Sequence, residues 1–180
     1  MRLTASSALI VVLFWFTAGT TVYGEKITFS KDRFSIVIPA RWEKAAVRSD
    51  PAAVLQYDAP AGAGSFSAYS LPVGQNRKAN LEKTLAVRVR TFEKAGLVLT
   101  GKVQSQKQEN FDGKPAIFGV VPMEAMTEDD VVRFTYYIVL IDAQDSVIMM
   151  QAALPRPLAA DLQKDALSII QSFRENAAGS

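Results

Sequence analysis

The stretch from 131 to 154 decides the fold. It reads Val131-Val-Arg-Phe-Thr-Tyr-Tyr-Ile-Val-Leu-Ile141, then Asp142-Ala-Gln-Asp145, then Ser146-Val-Ile-Met-Met-Gln-Ala-Ala-Leu154. β-Branched and aromatic residues dominate the first arm, which favours a strand over a helix. A second apolar arm follows the short polar segment, so we predict a β-hairpin.

Both faces of the first predicted arm are apolar, because successive residues of a strand point to opposite sides. One face carries Val132, Phe134, Tyr136, Ile138 and Leu140, and the other carries Thr135, Tyr137, Val139 and Ile141. A strand that is apolar on both faces has to be covered on both. We therefore expect this hairpin in the middle of a sheet, with helices or loops packed over it.

The composition limits the chemistry that the chain can perform. Its 180 residues are 49% hydrophobic, which suits one globular domain. With 20 Lys plus Arg against 18 Asp plus Glu, the chain is too weakly basic to indicate nucleic acid as a partner. The sequence has no Cys and no His. Nucleophiles paired with histidine, thiolate chemistry, disulfides and the usual zinc sites are therefore excluded. We expect no catalytic residue, no metal and no cofactor.

The N-terminal segment is typical of a secretory signal. Arg2 precedes an apolar run from Ala8 to Phe16, and small or polar residues lead to Val22-Tyr23-Gly24. An uncleaved anchor is the alternative, but the run is shorter than the roughly 20 residues that span a bilayer. We predict a signal peptide at 1–24, a domain at 25–176, a loose tail at 177–180, and a periplasmic or secreted protein with no membrane span after cleavage.

The first half of the mature chain reads as short strands. The predicted strands are Ile27–Phe29, Phe34–Ile38, Ala53–Tyr57 and Ser65–Leu71. Gly62 and Gly64 lie before a strand rather than a helix, so they do not predict a phosphate-binding loop. Trp42 follows the strand that ends at Pro39, and we interpret it as a core residue rather than a ligand platform.

A helix is predicted from Asn80 to Ala95, with Asn76 or Asn80 as its N-cap and Gly96 ending it. Its apolar stripe consists of Leu81, Leu85, Val89 and Phe92. Lys83, Arg90 and Lys94 lie on the opposite side. These cations form either a solvated face or a docking strip for an acidic partner or an anionic envelope surface, and they are the partner-binding residues that we predict.

The polar segment Leu97–Glu109 is predicted to be one edge strand, followed by a hairpin turn at Asp112-Gly113. The return strand is expected to run from Pro115 to Val121 and to break at Pro122. An acidic loop from Met123 to Asp130 would follow, and we interpret its Glu128, Asp129 and Asp130 as solvated rather than as cation ligands.

A second helix is predicted after Pro155 and Pro157. Its apolar residues are Leu158, Leu162, Ile169, Ile170 and Phe173. Asp161 near its start and Arg174 near its end complement the helix dipole.

Three segments in a set order carry a family resemblance. They are Phe34-Ser-Ile-Val-Ile-Pro-Ala-Arg-Trp42, Phe111-Asp-Gly-Lys-Pro-Ala116 and Ile169-Ile-Gln-Ser-Phe173. With one helix between them and one at the end, the mature chain resembles the PsbP-like family, which includes a photosystem II extrinsic subunit, a Ran-binding import factor and many exported bacterial proteins. The resemblance implies an α+β fold, an α/β/α sandwich with a central antiparallel sheet, and action by binding proteins or hydrophobic segments of them. The histidine-containing metal positions of its photosynthetic branch have no counterpart here.

The leading functional hypothesis is therefore a non-catalytic exported binding or accessory protein, acting on another protein or an envelope surface. A lipid or small-molecule carrier is one alternative. A hydrolase with paired carboxylates is another, and it would need two carboxyl groups roughly 5–10 Å apart. Asp58, Glu124 and Asp142 are its candidates, and the sequence does not place them relative to one another.

Overall fold

Two antiparallel sheets and two helices make up the part of the chain that the computed structural model describes, residues 24–74, 79–127 and 130–176. The strands are β1 (Gly24–Phe29), β2 (Phe34–Pro39), β3 (Glu43–Lys44), β4 (Leu55–Asp58), β5 (Ser65–Pro72), β6 (Leu97–Leu99), β7 (Gln104–Phe111), β8 (Lys114–Met126), β9 (Val131–Asp142), β10 (Ser146–Pro155) and β11 (Arg174–Glu175). The two α-helices are α1 (Leu81–Lys94) and α2 (Ala160–Gln171), and Pro60–Gly62 forms one short 3-10 turn. The predicted leader as far as residue 23 and the predicted tail at 177–180 lie outside the described residues.

The predicted hairpin, β9 and β10, lies in the middle of the large sheet. The strand order is β3-β4-β5-β10-β9-β8-β6, and β7 also pairs with β8. Both faces of β9 are buried from Tyr137 to Ile141, whereas Val132, Phe134 and Tyr136 are only partly buried. Ile138 and Leu140 belong to the core beneath α1, whereas Val139 and Ile141 belong to the core on the other side. All four are 0% exposed, so the prediction of a hairpin covered on both faces is confirmed.

Different layers cover the two faces of this sheet. Helix α1 packs over one face through Leu85, Val89 and Phe92. Helix α2 and a three-stranded sheet, ordered β1-β2-β11, cover the other face. The predicted α+β class with a central antiparallel sheet is confirmed. The small second sheet was not predicted, because a short apolar strand such as β2 does not reveal by its own pattern which sheet it will join.

The edge of the sheet beside β8 consists of two strands where one continuous strand was predicted. The segment predicted as one strand, Leu97–Glu109, forms β6 and β7, and the chain leaves the sheet between them. Pro122 does not break the return strand, which pairs with β9 continuously from Ala116 to Met126. The carbonyl oxygen of Pro122 accepts a hydrogen bond from Thr100 N at 3.1 Å. Its nitrogen therefore faces the interruption between β6 and β7, where no ladder bond is needed.

The predicted acidic loop is correspondingly shorter than expected. Strand β8 continues to Met126, which pairs with Val131, so Met123–Met126 belongs to a strand and the prediction of a loop there is wrong. The backbone N–H of Thr127 donates to Asp130 O at 2.8 Å and closes the turn. Glu128 and Asp129 lie outside the described residues. Within the described ranges, neither helix is long and apolar enough to cross a membrane.

Candidate partner-binding surface

Local interactions fix both ends of α1, the helix that carries the predicted binding residues. Asn80, one of the two predicted candidates, is the N-cap, and its Oδ1 accepts a hydrogen bond from Lys83 N at 2.9 Å. The other candidate, Asn76, lies outside the described residues. Gly96 follows the helix with a φ of 89°, a conformation that glycine adopts without steric cost. Gly119 on β8 lies directly beneath the helix, because a Cβ there would lie 3.0 Å from Leu85 Cδ2. Helix α1 is thus closely seated on the sheet.

Lys83, Arg90 and Lys94 are all exposed on the outer side of α1, and we call them the cationic strip. At 100° and about 1.5 Å per residue, they fall within about 40° of arc and extend over about 16 Å. None of the three forms an ion pair with a carboxylate in the part of the chain that the structure describes. Val87 beside them is 51% exposed. The three charges of the strip are therefore exposed to solvent, without an ion pair to a described carboxylate.

A shallow groove of about 370 Å³ runs between α1 and β7, next to the strip. Its apolar lining includes Leu85, Val89, Val103 and Ile117, and its charged rim is formed by Glu82, Arg90 and Glu93. Lys107 on β7 reaches over to Glu82, with 3.1 Å between Nζ and Oε1. The groove could not be predicted from the sequence, because it depends on how β7 pairs with β8.

Arg88 projects from the other flank of α1 into a cluster of polar side chains. Its Nε donates to Gln151 Oε1 at 2.9 Å, and its Nη2 donates to Tyr69 Oη at 2.9 Å. Gln151 Nε2 donates to the same tyrosine oxygen at 3.2 Å. Tyr69 in turn donates to Asp50 Oδ2 at 3.0 Å, and Arg88 Nη2 lies 3.4 Å from that oxygen.

The protein itself uses most of the hydrogen-bonding capacity of this Arg88 cluster. The Arg88 side chain is only 14% exposed, and its guanidinium lies over the rings of Tyr69 and Phe92. Burial raises the pKa of Tyr69 to about 12, with a further increase from Asp50 opposed by Arg88. Tyr69 is therefore neutral at ordinary pH and acts as a hydrogen-bonding hub. The cluster joins α1 to β5, to β10 and to the loop before β4.

The three carboxylates considered for a hydrolase are far apart. Asp58 lies on β4 and Glu124 on β8, four strands away, which is roughly 20 Å at about 4.8 Å per strand. Glu124 is paired with Arg133, nine residues along β9 from Asp142, which is roughly 30 Å at about 3.3 Å per residue. Asp58 and Asp142 are also at least roughly 20 Å apart, by the same spacings across three strands. No two of these residues can therefore share a catalytic cleft.

Trp42 is a core residue, as predicted. It is 4% exposed in the core beneath α2, and its Nε1 donates to Asp165 Oδ2 at 2.9 Å. The same carboxylate accepts a bond from Arg41 Nε at 2.7 Å. Trp42 therefore fixes the chain that leaves β2 against α2.

An ionic network joins several turns at one end of the molecule. Glu175 on β11 pairs with Lys114 at the start of β8 and with Arg33 Nε at 2.8 Å. Arg33 also donates to both oxygens of Asp145 in the β9–β10 turn, at 2.6 Å and 2.7 Å. Lys114 and Arg33 lower the pKa of Glu175. The network connects the small sheet to the large one.

Acidic side chains do not gather into a possible metal site in the part of the chain that the structure describes. Of the acidic loop considered for a cation, only Asp130 is described, and its Oδ1 accepts the backbone N–H of Val131 at 2.7 Å. A second open depression, of about 330 Å³, lies near Lys114 and Asp142.

The folding pattern matches solved structures at low sequence identity. The solution structure of cyanobacterial PsbP (CyanoP) from Synechocystis sp. PCC 6803 superposes with a TM-score of 0.60 at 10% identity, covering 91% of this chain and 99% of that one. The protein has a PsbP-like fold. The Ran-binding protein Mog1p of Saccharomyces cerevisiae superposes with a TM-score of 0.58 at 14% identity, covering 84% of this chain and 95% of that one. The resemblance drawn from the three sequence segments is thereby confirmed at the level of the fold.

The PsbP-like fold is supported by structure rather than by sequence comparison. No protein-family model matches the sequence, and no curated protein matches it. At 10–14% identity the two solved structures establish the fold alone.

Proposed function

We propose that the protein is an exported, non-catalytic binding protein that docks on an acidic surface of another envelope protein. The cationic strip of α1 is the contact surface. The observation that carries the proposal is the grouping of three exposed cations, without a described ion-pair partner, on one closely seated helix. Isolated surface charges are usually solvated, but three in one narrow arc act together on an approaching anion.

The strip would contribute mainly to the rate of association. Exposed charges attract an oppositely charged surface over about a Debye length, which is about 10 Å at 0.1 M salt. Complementary charge of this kind raises the association rate and becomes less effective as salt increases. We therefore expect binding that is strong at low ionic strength and weak at high ionic strength.

Two further facts support a binding role. Mog1p, one of the solved structures with this fold, is named for binding another protein, so the fold is compatible with such a function. The sequence also lacks His and Cys, and its candidate carboxylates are separated by the sheet. Export is supported by the predicted leader at 1–24.

Charge reversal of the strip tests the proposal. Mature protein carrying Lys83→Glu, Arg90→Glu and Lys94→Glu is compared with the parent in affinity capture from the native envelope at low and high salt. The matched control reverses Lys26, Lys44 and Lys164, which are also exposed, and produces the same change in net charge. All three proteins are first shown to have equal melting temperatures.

The strip variant is expected to lose the partner at low salt, by about tenfold or more in affinity, while the control retains it. Equal capture by the strip variant and the parent would contradict the proposal. Binding of the parent to anionic lipid vesicles, with no captured protein that depends on the strip, would assign the strip to a membrane surface instead and would also contradict it.

A further inference from the structure

Strand β7 forms an open edge of the large sheet next to the groove. It pairs with β8 along one side, and no other strand in the described ranges pairs with its opposite side. An edge strand presents unpaired main-chain N–H and C=O groups, and an extended peptide can bind by adding a strand there.

The register shows which groups of β7 point outward. The bond from Thr100 N to Pro122 O means that Pro122 directs its main-chain polar groups towards β6 and β7. Because these directions alternate along a strand, Val120 and Phe118 point the same way and pair with Gln104 and Gln106. The intervening residues, Ser105 and Lys107, therefore present their N–H and C=O groups to the open edge.

The groove supplies a place for side chains of an added strand. A new strand would lie about 4.8 Å beyond β7, and alternate side chains would point towards α1. The lining there includes apolar Val103 and Ile117 from the sheet side and Leu85 and Val89 from the helix. An incoming segment would thus gain main-chain hydrogen bonds from the edge and an apolar contact from the groove.

The charge around this edge identifies the chemistry of the occupant. Exposed cations here are Lys83, Arg90, Lys94, Lys102 and Lys107, whereas the described carboxylates among them are Glu82 and Glu93. The Lys107–Glu82 pair is exposed on both sides, at 77% and 64%, so an incoming carboxylate can replace it at little cost. A second copy of this edge would bring like charges together, which disfavours self-pairing.

We propose that β7 accepts an extended acidic segment of the partner protein as an additional strand, whose side chains on the α1 side include apolar ones in the groove and carboxylates beside the cations. This inference rests on the proposed function and identifies the form in which the partner binds. Ser105 and Lys107 supply the main-chain hydrogen bonds, and the cationic strip attracts the segment to the edge.

A proline at position 105 tests the edge. Ser105→Pro removes one outward N–H and leaves the inward ladder of β7 in place, because proline is tolerated on the open side of an edge strand. Ser105→Ala is the matched control, since it removes the hydroxyl and keeps the N–H. The probe is a blocked synthetic peptide as long as β7, in which every second residue, on the side towards α1, is valine or glutamate and the intervening residues are serine. This valine–glutamate peptide is compared with the same peptide N-methylated on alternate residues and with a valine–lysine peptide that carries lysine in place of glutamate.

The valine–glutamate peptide is expected to bind the mature protein and to slow hydrogen exchange at the Ser105 and Lys107 amides. Its affinity should fall by about tenfold in Ser105→Pro or on N-methylation, and should not change in Ser105→Ala. The inference is overturned if this peptide does not bind, if Ser105→Pro binds it like the parent, or if the valine–lysine peptide binds equally well.

Capture of the native partner separates this inference from the proposed function. If the strip variant and Ser105→Pro each lose capture of the partner, the proposed function and strand addition at β7 are both supported. Loss in the strip variant alone leaves the proposed function standing and overturns strand addition at β7. Concentration-dependent self-association of the parent that Ser105→Pro abolishes would assign the edge to a second copy of the chain and would overturn the inference as well.

Discussion

Arg88 Nη2 donates a hydrogen bond to Tyr69 Oη at 2.9 Å and thereby links helix α1 to strand β5. The two residues also form a cation–π contact, with the Arg88 guanidinium carbon 4.8 Å from the centre of the Tyr69 ring. The same oxygen is bonded to Asp50 and Gln151. One nearly buried guanidinium thus fixes the position of the helix that carries the proposed binding strip.

Replacement of Arg88 by methionine should destabilise the protein while keeping most of the packing volume. Arg88→Met removes the charge-assisted bonds to Gln151 and Tyr69, which we expect to cost about 1–3 kcal/mol. For a domain of this size each kcal/mol corresponds to about 2–4 °C in melting temperature. Arg90→Met, on the exposed side of the same helix, should change the melting temperature very little. Equal melting temperatures for the two variants would contradict a stabilising role for Arg88.

The position of Arg88 shows which features of this cluster can be predicted from the sequence and which cannot. Arg88 follows Leu85 by three residues and precedes Phe92 by four, so it borders the apolar stripe. A charge beside a buried stripe indicates a partly buried partner, and the helical spacing alone could have shown this. The identity of the partners could not have been predicted, because Tyr69 and Gln151 come from strands that only the tertiary fold brings together.

The parts of the fold that the sequence predicted correctly depend on local pattern. The hairpin of β9 and β10, the stripe of α1 and its Asn80 cap are all set by neighbouring residues. The prediction of a strand break at Pro122 was wrong, because a proline is tolerated in a strand where its nitrogen faces no hydrogen-bonding partner strand. Here that nitrogen faces the interruption between β6 and β7. For the candidate site, the strip could be predicted from helical spacing, whereas the groove and the open edge required the pairing of β7 with β8.

Substitution of Trp42 should affect stability rather than partner binding. Trp42→Ala removes a side chain that is 4% exposed, and we expect a loss of about 3–5 kcal/mol. Trp42→Phe keeps an aromatic ring but loses the bond to Asp165 and part of the buried ring volume, so its cost should be smaller than that of Trp42→Ala. Thermal unfolding followed by circular dichroism measures both. An unchanged melting temperature combined with lost partner capture would show that Trp42 is a binding residue.

Stability should fall in acid partly through Glu175. Lys114 and Arg33 lower its pKa below the ordinary value of 4.5 in the folded state. Its contribution is therefore fully present above pH 4.5 and is lost as the pH falls through the lower folded-state pKa. Glu175→Gln should reduce stability near pH 7 by about 1–3 kcal/mol and should flatten the acid limb of the profile.

Urea unfolding between neutral and acid pH measures this effect. Glu43→Gln is the matched control, because Glu43 is exposed on β3 and forms no ion pair with a described residue. The control should follow the parent at every pH. If Glu175→Gln did so too, the network around Arg33 and Lys114 would not contribute to stability.

The close contact between Gly119 and Leu85 should be measurable as an energetic coupling. A Cβ at position 119 would lie 3.0 Å and 3.2 Å from the two Cδ atoms of Leu85, so Gly119→Val forces the Leu85 side chain, or helix α1 with it, to shift. Overpacking of this kind costs about 1–3 kcal/mol. Leu85→Ala alone should cost about 2–5 kcal/mol, because Leu85 is 5% exposed.

In the double variant, the smaller side chain at position 85 leaves room for the valine at 119. We therefore expect the combined loss to be smaller than the sum of the single losses by about 0.5–3 kcal/mol, as measured by denaturant unfolding. Gly119→Val combined with Leu162→Ala is the control, since Leu162 lies on α2 on the opposite side of the sheet, and these losses should add. Additive losses for Gly119→Val and Leu85→Ala would mean that α1 is not held at this contact. The groove between α1 and β7 would then owe its width to some other part of the helix.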